Sequence, residues 1–444
     1  MSTATIDVVA TIAGAAYPLE TAADDARILD WIGDAPIVLL GEATHGTQDF
    51  YEARARLSRQ LVERKGFGAV AIEGDWPDAW RVNRYVQGAG VLSAFAALSG
   101  FARFPTWMWR NTEIVALVDW LRQHNHGRSE RQRVGFYGLD LYSMRTSMAA
   151  VVEYLEIRDP AMANEARKSY ACFDRFGGEP DMYAWSLQRL GEGTCEQEVV
   201  RQLVELQRRQ AQLVRGDGAS SMDEFFHAEQ NARVAKNSEH YYRTMLHGRA
   251  ASWNIRDRHM AETLAELREY LARRGQEPKI VVWAHNSHLG DARATEMGDG
   301  GELNLGQLAR ERWDGEVRSI GFTTHSGTVI AASDWGDPAE CKRVRPALNG
   351  SIEDLFHQAG RPRFFLPLDP TSEAADALAA PRLERAIGVI YRPDTERQSH
   401  YFHARVSEQF DAMIHLDVTS ALMPLEGVQP PLEDEPPETY PDGT

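Results

Sequence analysis

The chain has 444 residues, 43% of them hydrophobic and 25% charged, enough apolar material for a large core, which excludes disordered, fibrous and mini-protein classes. Its 48 Lys and Arg against 65 Asp and Glu leave a net charge of −17, a field that repels polyanions and excludes nucleic acid and anionic membrane surfaces as partners. Three cysteines, Cys172, Cys195 and Cys341, form no Cys-x-x-Cys pair and argue against a disulfide framework and for a reducing cytoplasm, while no run reaches the roughly 18 apolar residues of a membrane span.

In chain order, residues 36–40 (PIVLL) are the first short apolar run and predict a buried strand. A helix over 47–65 follows, with Phe50, Ala53, Leu57 and Leu61 on one face, Thr47 as cap, Asp49 and Glu52 in its first turn and Gly66 as its stop. Residues 69–72 and 134–137 predict two further strands, and a strand, helix, strand order of this length signals a parallel sheet with crossover helices. From 144 to 275 the pattern changes to long helices, at 195–215, 222–247 and 251–273, which reads as a helical insertion or cap. Strand signals resume at 279–284 and continue at 317–322, 328–332, 386–391 and 413–416. The expected fold is therefore α/β, a mostly parallel central sheet flanked by helices and interrupted by that cap. Its units are an N-terminal segment (1–35), two parts of one core (36–143 and 276–428), the insertion (144–275) and a tail (429–444). Five prolines and five acids make the tail too polar to offset the entropy of ordering.

In open α/β sheets ligands bind beyond the carboxyl ends of the strands, and three predicted strands end in proton-moving groups. The first runs into Gly41-Glu42-Ala43-Thr44-His45-Gly46-Thr47, the second into Glu73-Gly74-Asp75-Trp76, the 279–284 strand into His285-Asn286-Ser287-His288, and a fourth ends at Asp140. His45 beside a helix N-terminus is disfavoured as imidazolium and can take a proton from water, with Glu42 or Glu73 fixing its tautomer. The alternative is a His45–Glu42 pair that only braces a tight loop. His285 and His288 can be a metal half-site, oxyanion partners or loop braces. With Glu42, His45 and Glu73 they form a donor set suited to zinc or manganese, but no His-Glu-x-x-His and no cysteine set supports that reading, so neither metal nor organic cofactor is expected. Arg54 is a candidate carbonyl-polarising group. Trp76 and Trp109, with Trp80 and Trp107, either line a pocket or fill the core; Arg397 and His400, in Glu396-Arg397-Gln398-Ser399-His400-Tyr401, either form a second wall of the site or an ion-paired turn. No Gly-x-Ser-x-Gly elbow, phosphate loop or dinucleotide fingerprint is present.

The Gly41–Thr47 block with Gly66-Phe67 and Glu73 resembles the erythromycin esterase family, as do Trp283-Ala284-His285-Asn286-Ser287-His288, Trp107-Met108-Trp109-Arg110-Asn111-Thr112-Glu113, Leu305-Gly306-Gln307 and Glu396-Arg397-Gln398-Ser399-His400-Tyr401. That resemblance, over about residues 36–425, implies an α/β core with a helical cap and metal-independent hydrolysis of a macrolide lactone. It makes His45 the general base, Glu42 and Glu73 its orienting carboxylates, His285 and His288 electrostatic partners and Arg54 a weaker transfer. Asp75, Trp76, Trp109, Arg397 and His400 are the expected substrate contacts. The Glu-Arg-x-Ser-His-Tyr block resembles the broad branch of the family, some of whose members are called succinoglycan biosynthesis proteins, more than the resistance esterases. The expectation is a hydrolase of an ester or related acyl bond in a small molecule other than erythromycin.

Overall fold

A computed structural model describes residues 7–21, 23–176, 183–187, 193–214, 219–245 and 248–425. The expected tail at 429–444 lies outside them, as do Arg215 and His247 at the ends of two expected helices.

Among the described residues thirteen strands form: β1 (Tyr17–Pro18), β2 (Ile37–Leu40), β3 (Ala69–Asp75), β4 (Gly135–Asp140), β5 (Ile280–Trp283), β6 (Val317–Thr323), β7 (Ser326–Ala331), β8 (Glu340–Val344), β9 (Arg363–Pro367), β10 (Arg382–Arg385), β11 (Tyr401–Ala404), β12 (Ala412–Leu416) and β13 (Val418–Thr419). Eight build the central sheet in the order β1-β9-β12-β6-β2-β5-β3-β4. Alternation along each central strand builds two cores at once. Val38, Leu40, Val70, Ile72, Val281 and Trp283 face the helix Gln48–Lys65, through its Phe50, Leu57 and Leu61. Ile37, Leu39, Ala69, Ala71, Ile280 and Val282 face Met260, Leu264, Leu267 and Leu271 of the helix Arg249–Arg273. Burial on both faces is why these strands read as unbroken apolar runs.

The sheet is mixed, not mostly parallel. β12, β6, β2, β5, β3 and β4 pair in parallel, but β9 runs against both β12 and β1; the small sheet β10-β11 is antiparallel, and in the sheet β13-β7-β8 the first pair is parallel and the second antiparallel. No crossover helix precedes β9 to announce its direction; the short helix Ile352–Gln358 delivers it antiparallel. The run 386–391 is not a strand; Ile387 and Ile390 make isolated bridges to Thr44 and Ala332, beside the true strand β10.

Between β4 and β5 the described residues are helical, and their apolar faces pack mainly on one another, as with Val151, Leu155, Ala166, Leu206, Phe225 and Tyr241. Cys172 and Cys195 form a disulfide in this layer, overturning the expectation of none; Cys341 is the free, exposed thiol that made the count odd. The cysteine argument for a reducing compartment falls away with it. Among the described residues no helix is long and apolar enough to cross a membrane.

Candidate active site

Everything converges on the loop 41–47 after β2. Gly41 is required because a Cβ there would meet the Asn286 side chain, and Gly46 because a Cβ would fall on the Ile330 carbonyl. The loop is pinned from four sides: Asn286 N–H donates to the Glu42 carbonyl (2.8 Å), Ile387 N–H to Ala43 (2.8 Å), and Ile330 and Leu422 N–H to Gly46 (both 3.0 Å). Thr47 occupies the cap position but bonds the Thr44 hydroxyl rather than a helix N–H; Asp49 is drawn to Ser420 instead. Within this frame His45 Nδ1 lies 3.0 Å from Glu42 Oε1, and Glu42 Oε2 accepts from Arg54 Nη2. Arg54 is fully buried between the Tyr51 and Trp283 rings, 4.4 and 4.7 Å from its guanidinium. It stands behind Glu42 and does not line the cavity.

Glu73 lies inside β3, which runs to Asp75 across an irregularity in its register with β4, a device that re-aims side chains. One Glu73 oxygen accepts from His285 N–H (2.8 Å); the other accepts from Arg256 Nη2 (2.7 Å) and sits 3.3 Å from His288 Nε2. Arg256 also grips Asp140 (2.6 and 3.0 Å), and His288 Nδ1 is held by Asp257 (2.9 Å) while its ring stacks on Trp253 at 4.4 Å. Burial alone would depress the His288 ring, but the Asp257 and Glu73 carboxylates override it and raise it to about 9. Burial works against Glu73 too, yet His288 and Arg256 hold its carboxyl well below the usual range. Against the rise at His288, Arg256 Nη1 lies 3.1 Å from His288 Nε2 and its charge works to lower the ring.

His285 behaves oppositely: burial, with His45 next to it, lowers it to about 3, so the ring is neutral at pH 7. Ser287 N–H donates to His285 Nδ1 (3.2 Å), which places the ring proton on Nε2, and Nε2 has no hydrogen-bond partner. The His45 and His285 rings are 4.9 Å apart. His45, Glu73, Arg256, His285, His288 and Trp253 line one cavity of about 280 Å³, closed on another side by Ile390, Ser399, His400, Tyr401, Phe402 and Gln409.

The structure thus brings Glu42, His45, Glu73, His285 and His288 together and puts His400 on the cavity wall. Arg397 is exposed, although Gln398 and Ser399 beside it reach the cavity. Asp75, Trp76 and Trp109 do not line it. Asp75 pairs with Arg103 and accepts from Ser143 N–H; Trp76 stacks on Trp80 and Tyr137 and donates to His227; Trp109 packs against Tyr51 and Phe101. Sequence reasoning noted Asp140 only as a strand end and missed Arg256 and Asp257. Their signal was available: Trp253, Arg256, Asp257 and Met260 share the buried stripe of one helix, an unusual place for charges. Among the described residues no group of three or more His, Cys, Asp or Glu has a metal-holding arrangement, the five candidate donors included.

The family model described as erythromycin esterase matches residues 62–419. A putative hydrolase of Bacillus subtilis (strain 168), YbfO, is 23% identical over 409 residues, covering 86% of this chain and 83% of that protein. Erythromycin esterase type II of Escherichia coli is 21% identical over 421 residues, covering 88% and 91%. Among solved structures, a succinoglycan biosynthesis protein superposes with a TM-score of 0.75 at 23% identity, covering 96% of this chain and all (100%) of that one.

Proposed function

Because this chain belongs to the erythromycin esterase family, we propose that it is a hydrolase in which His45 activates water for attack on an ester or lactone carbonyl. The observation that carries this reading is the Glu42–His45 contact of 3.0 Å. A carboxylate accepts from Nδ1–H, which leaves the lone pair on Nε2, on the far side of the ring, as the base. Water gives its proton to Nε2 as its oxygen bonds the acyl carbon; the imidazolium then returns that proton to the departing alkoxide. Arg54 keeps Glu42 aimed, so Glu42 stabilises the imidazolium between the two transfers. Arg256 and His288 bring positive charge to the cavity, and the neutral His285 Nε2–H is a donor free for the developing oxyanion. Glu73 ties the His285 backbone to the Arg256–His288 pair and so positions both.

A cavity of about 280 Å³ lies at the lower edge of small-molecule sites, so compact acyl esters and small lactones are proposed as substrates ahead of erythromycin. The scheme draws on these side chains alone. Glu42→Gln tests it, because an amide keeps the shape but not the charge that fixes the ring. On small acyl esters its kcat should fall by about a hundredfold or more, as when the orienting carboxylate of other triads is neutralised; an unaltered kcat contradicts the assignment.

A further inference from the structure

Glu384 is a buried carboxyl that the hydrolytic scheme does not use. It lies on β10 opposite Phe402 of β11, with zero exposure; the Asn286 and Gln409 amides approach it, but neither of its oxygens receives a hydrogen bond of good geometry. A buried carboxylate without a cation or a well-formed hydrogen bond is among the costliest groups a protein can hold, and such a group signals a proton, an ion or a task.

The surroundings offer it no cation. The helix Ile352–Gln358 brings a second buried carboxyl, Glu353, whose Oε1 accepts from Arg385 N–H at 2.8 Å while its Oε2 is unpartnered. The catalytic loop 285–288 brings the Asn286 amide and the turn Val406–Gln409 the Gln409 amide, uncharged groups that favour the ionised carboxyl less than burial disfavours it. Arg385, next along β10, commits its guanidinium to the carbonyls of Arg345, Thr324 and His325 and to Glu396. Burial, reinforced by Glu353, raises Glu384 to about 8. Burial raises Glu353 as well, but the Arg385 charge and N–H act against that shift, so of the two acids Glu384 holds its proton more firmly.

The location links this proton to the site. Asn286 stands between His285 and His288 and staples three segments: its N–H holds the Glu42 carbonyl, and its amide exchanges hydrogen bonds with both backbone groups of Phe322 (2.8 and 3.2 Å). Gln409, Phe402 and Ala386, on the other sides of Glu384, line the cavity.

We propose that Glu384 is a positioning residue held as a neutral carboxylic acid, and that its deprotonation places an unpaired charge beneath the catalytic loop and forms a built-in alkaline off-switch. The proposal rests on the hydrolase reading of the same cavity. The proton passes to solvent base; no bond to carbon changes. For the sign, the folded group titrates above its unfolded counterpart, so the stability it leaves intact in acid is lost progressively as pH rises towards about 8.

Glu384→Gln keeps the shape and removes the titration. The gap in thermal midpoint between this variant and wild type should widen in the variant's favour from pH 5 to pH 9, and a gap that stays constant overturns the proposal. Difference infrared spectra of wild type at pH 7 should carry a protonated-carboxyl band that titrates away above pH 8 and is missing from the variant; its absence from wild type at pH 7 overturns the proposal without relying on the variant's folding. With p-nitrophenyl acetate, the ratio of kcat at pH 9 to kcat at pH 7 should be roughly tenfold higher in the variant, one pH unit beyond the titration midpoint. Equal ratios overturn the switch. If neither protein hydrolyses any ester, the hydrolase reading fails while the midpoint and infrared results still decide the protonation. A wild-type midpoint that rises with added Ca²⁺ or Mg²⁺, and not in the variant, would put a cation where we place the proton and overturn the proposal.

Discussion

Glu42 uses one carboxylate oxygen on His45 and the other on Arg54, and all three are nearly inaccessible to water. Arg54→Met would strip the buried carboxylate of the arginine it pairs with, which should cost about 3–5 kcal/mol in chemical denaturation; a loss under about 1 kcal/mol would show that Glu42 is held by other means. His288 makes a second prediction at this scale. Its folded value near 9 lies above the ordinary value of 6.5, so the Asp257–His288 pair contributes stability that is complete below about pH 6.5 and disappears as pH climbs through 9. In the Glu384→Gln background, where the other alkaline titration is gone, Asp257→Asn should flatten the stability profile between pH 6.5 and 9, and a slope equal to the parent's would contradict the pairing. Much of this cluster was legible because strand ends are where open sheets bind ligands. Arg256 and Asp257 were not, since a charge on a long helix ordinarily belongs to its solvated face, and only packing reveals that this face is buried. Trp76 and Trp109 erred the other way: large rings near a site fill its supporting core as readily as its walls.

At the scale of elements, the loop 41–47 is a thin strap between β2 and its helix, fitted so closely under β7 that Gly46 has no room for a side chain. Gly46→Ala must displace backbone rather than a flexible side chain, and should lower both the thermal midpoint and kcat on an ester. Full retention of both would show that the strap can shift without moving His45. The central strands were readable from composition because burial on both faces demands continuous apolar runs. The edges were not: β1 is a two-residue strand, β8 carries Glu340, Lys342 and Arg343 on a largely exposed ribbon, and β10 hides Glu384 and Arg385 within a charged tetrapeptide. Each breaks the correlation between strand and hydrophobicity, whereas β9 carries the short apolar run Phe364-Phe365-Leu366, whose residue types say nothing of its antiparallel direction.

For the whole molecule, a net charge of −17 coexists with a cavity whose Arg256 and His288 supply positive charge, so the global field limits partners without setting the local chemistry. The disulfide belongs to this scale too, because it ties two parts of the helical layer 23 residues apart. Thiol titration of denatured, unreduced protein should count Cys341 alone, and a count of all three cysteines would remove the cross-link. Contacts distant in sequence made that pairing invisible to residue counting, just as they alone brought residues from β2, β3, β5 and the helix Arg249–Arg273 to one cavity. The central claim is that His45 activates water there, and the most direct measurement is a panel of small acyl esters, lactones and macrolides run with wild type and His45→Ala in parallel. Loss of general-base catalysis should lower kcat on every hydrolysed member by about a hundredfold or more with the fold intact, whereas equal turnover by a folded His45→Ala protein would contradict the account.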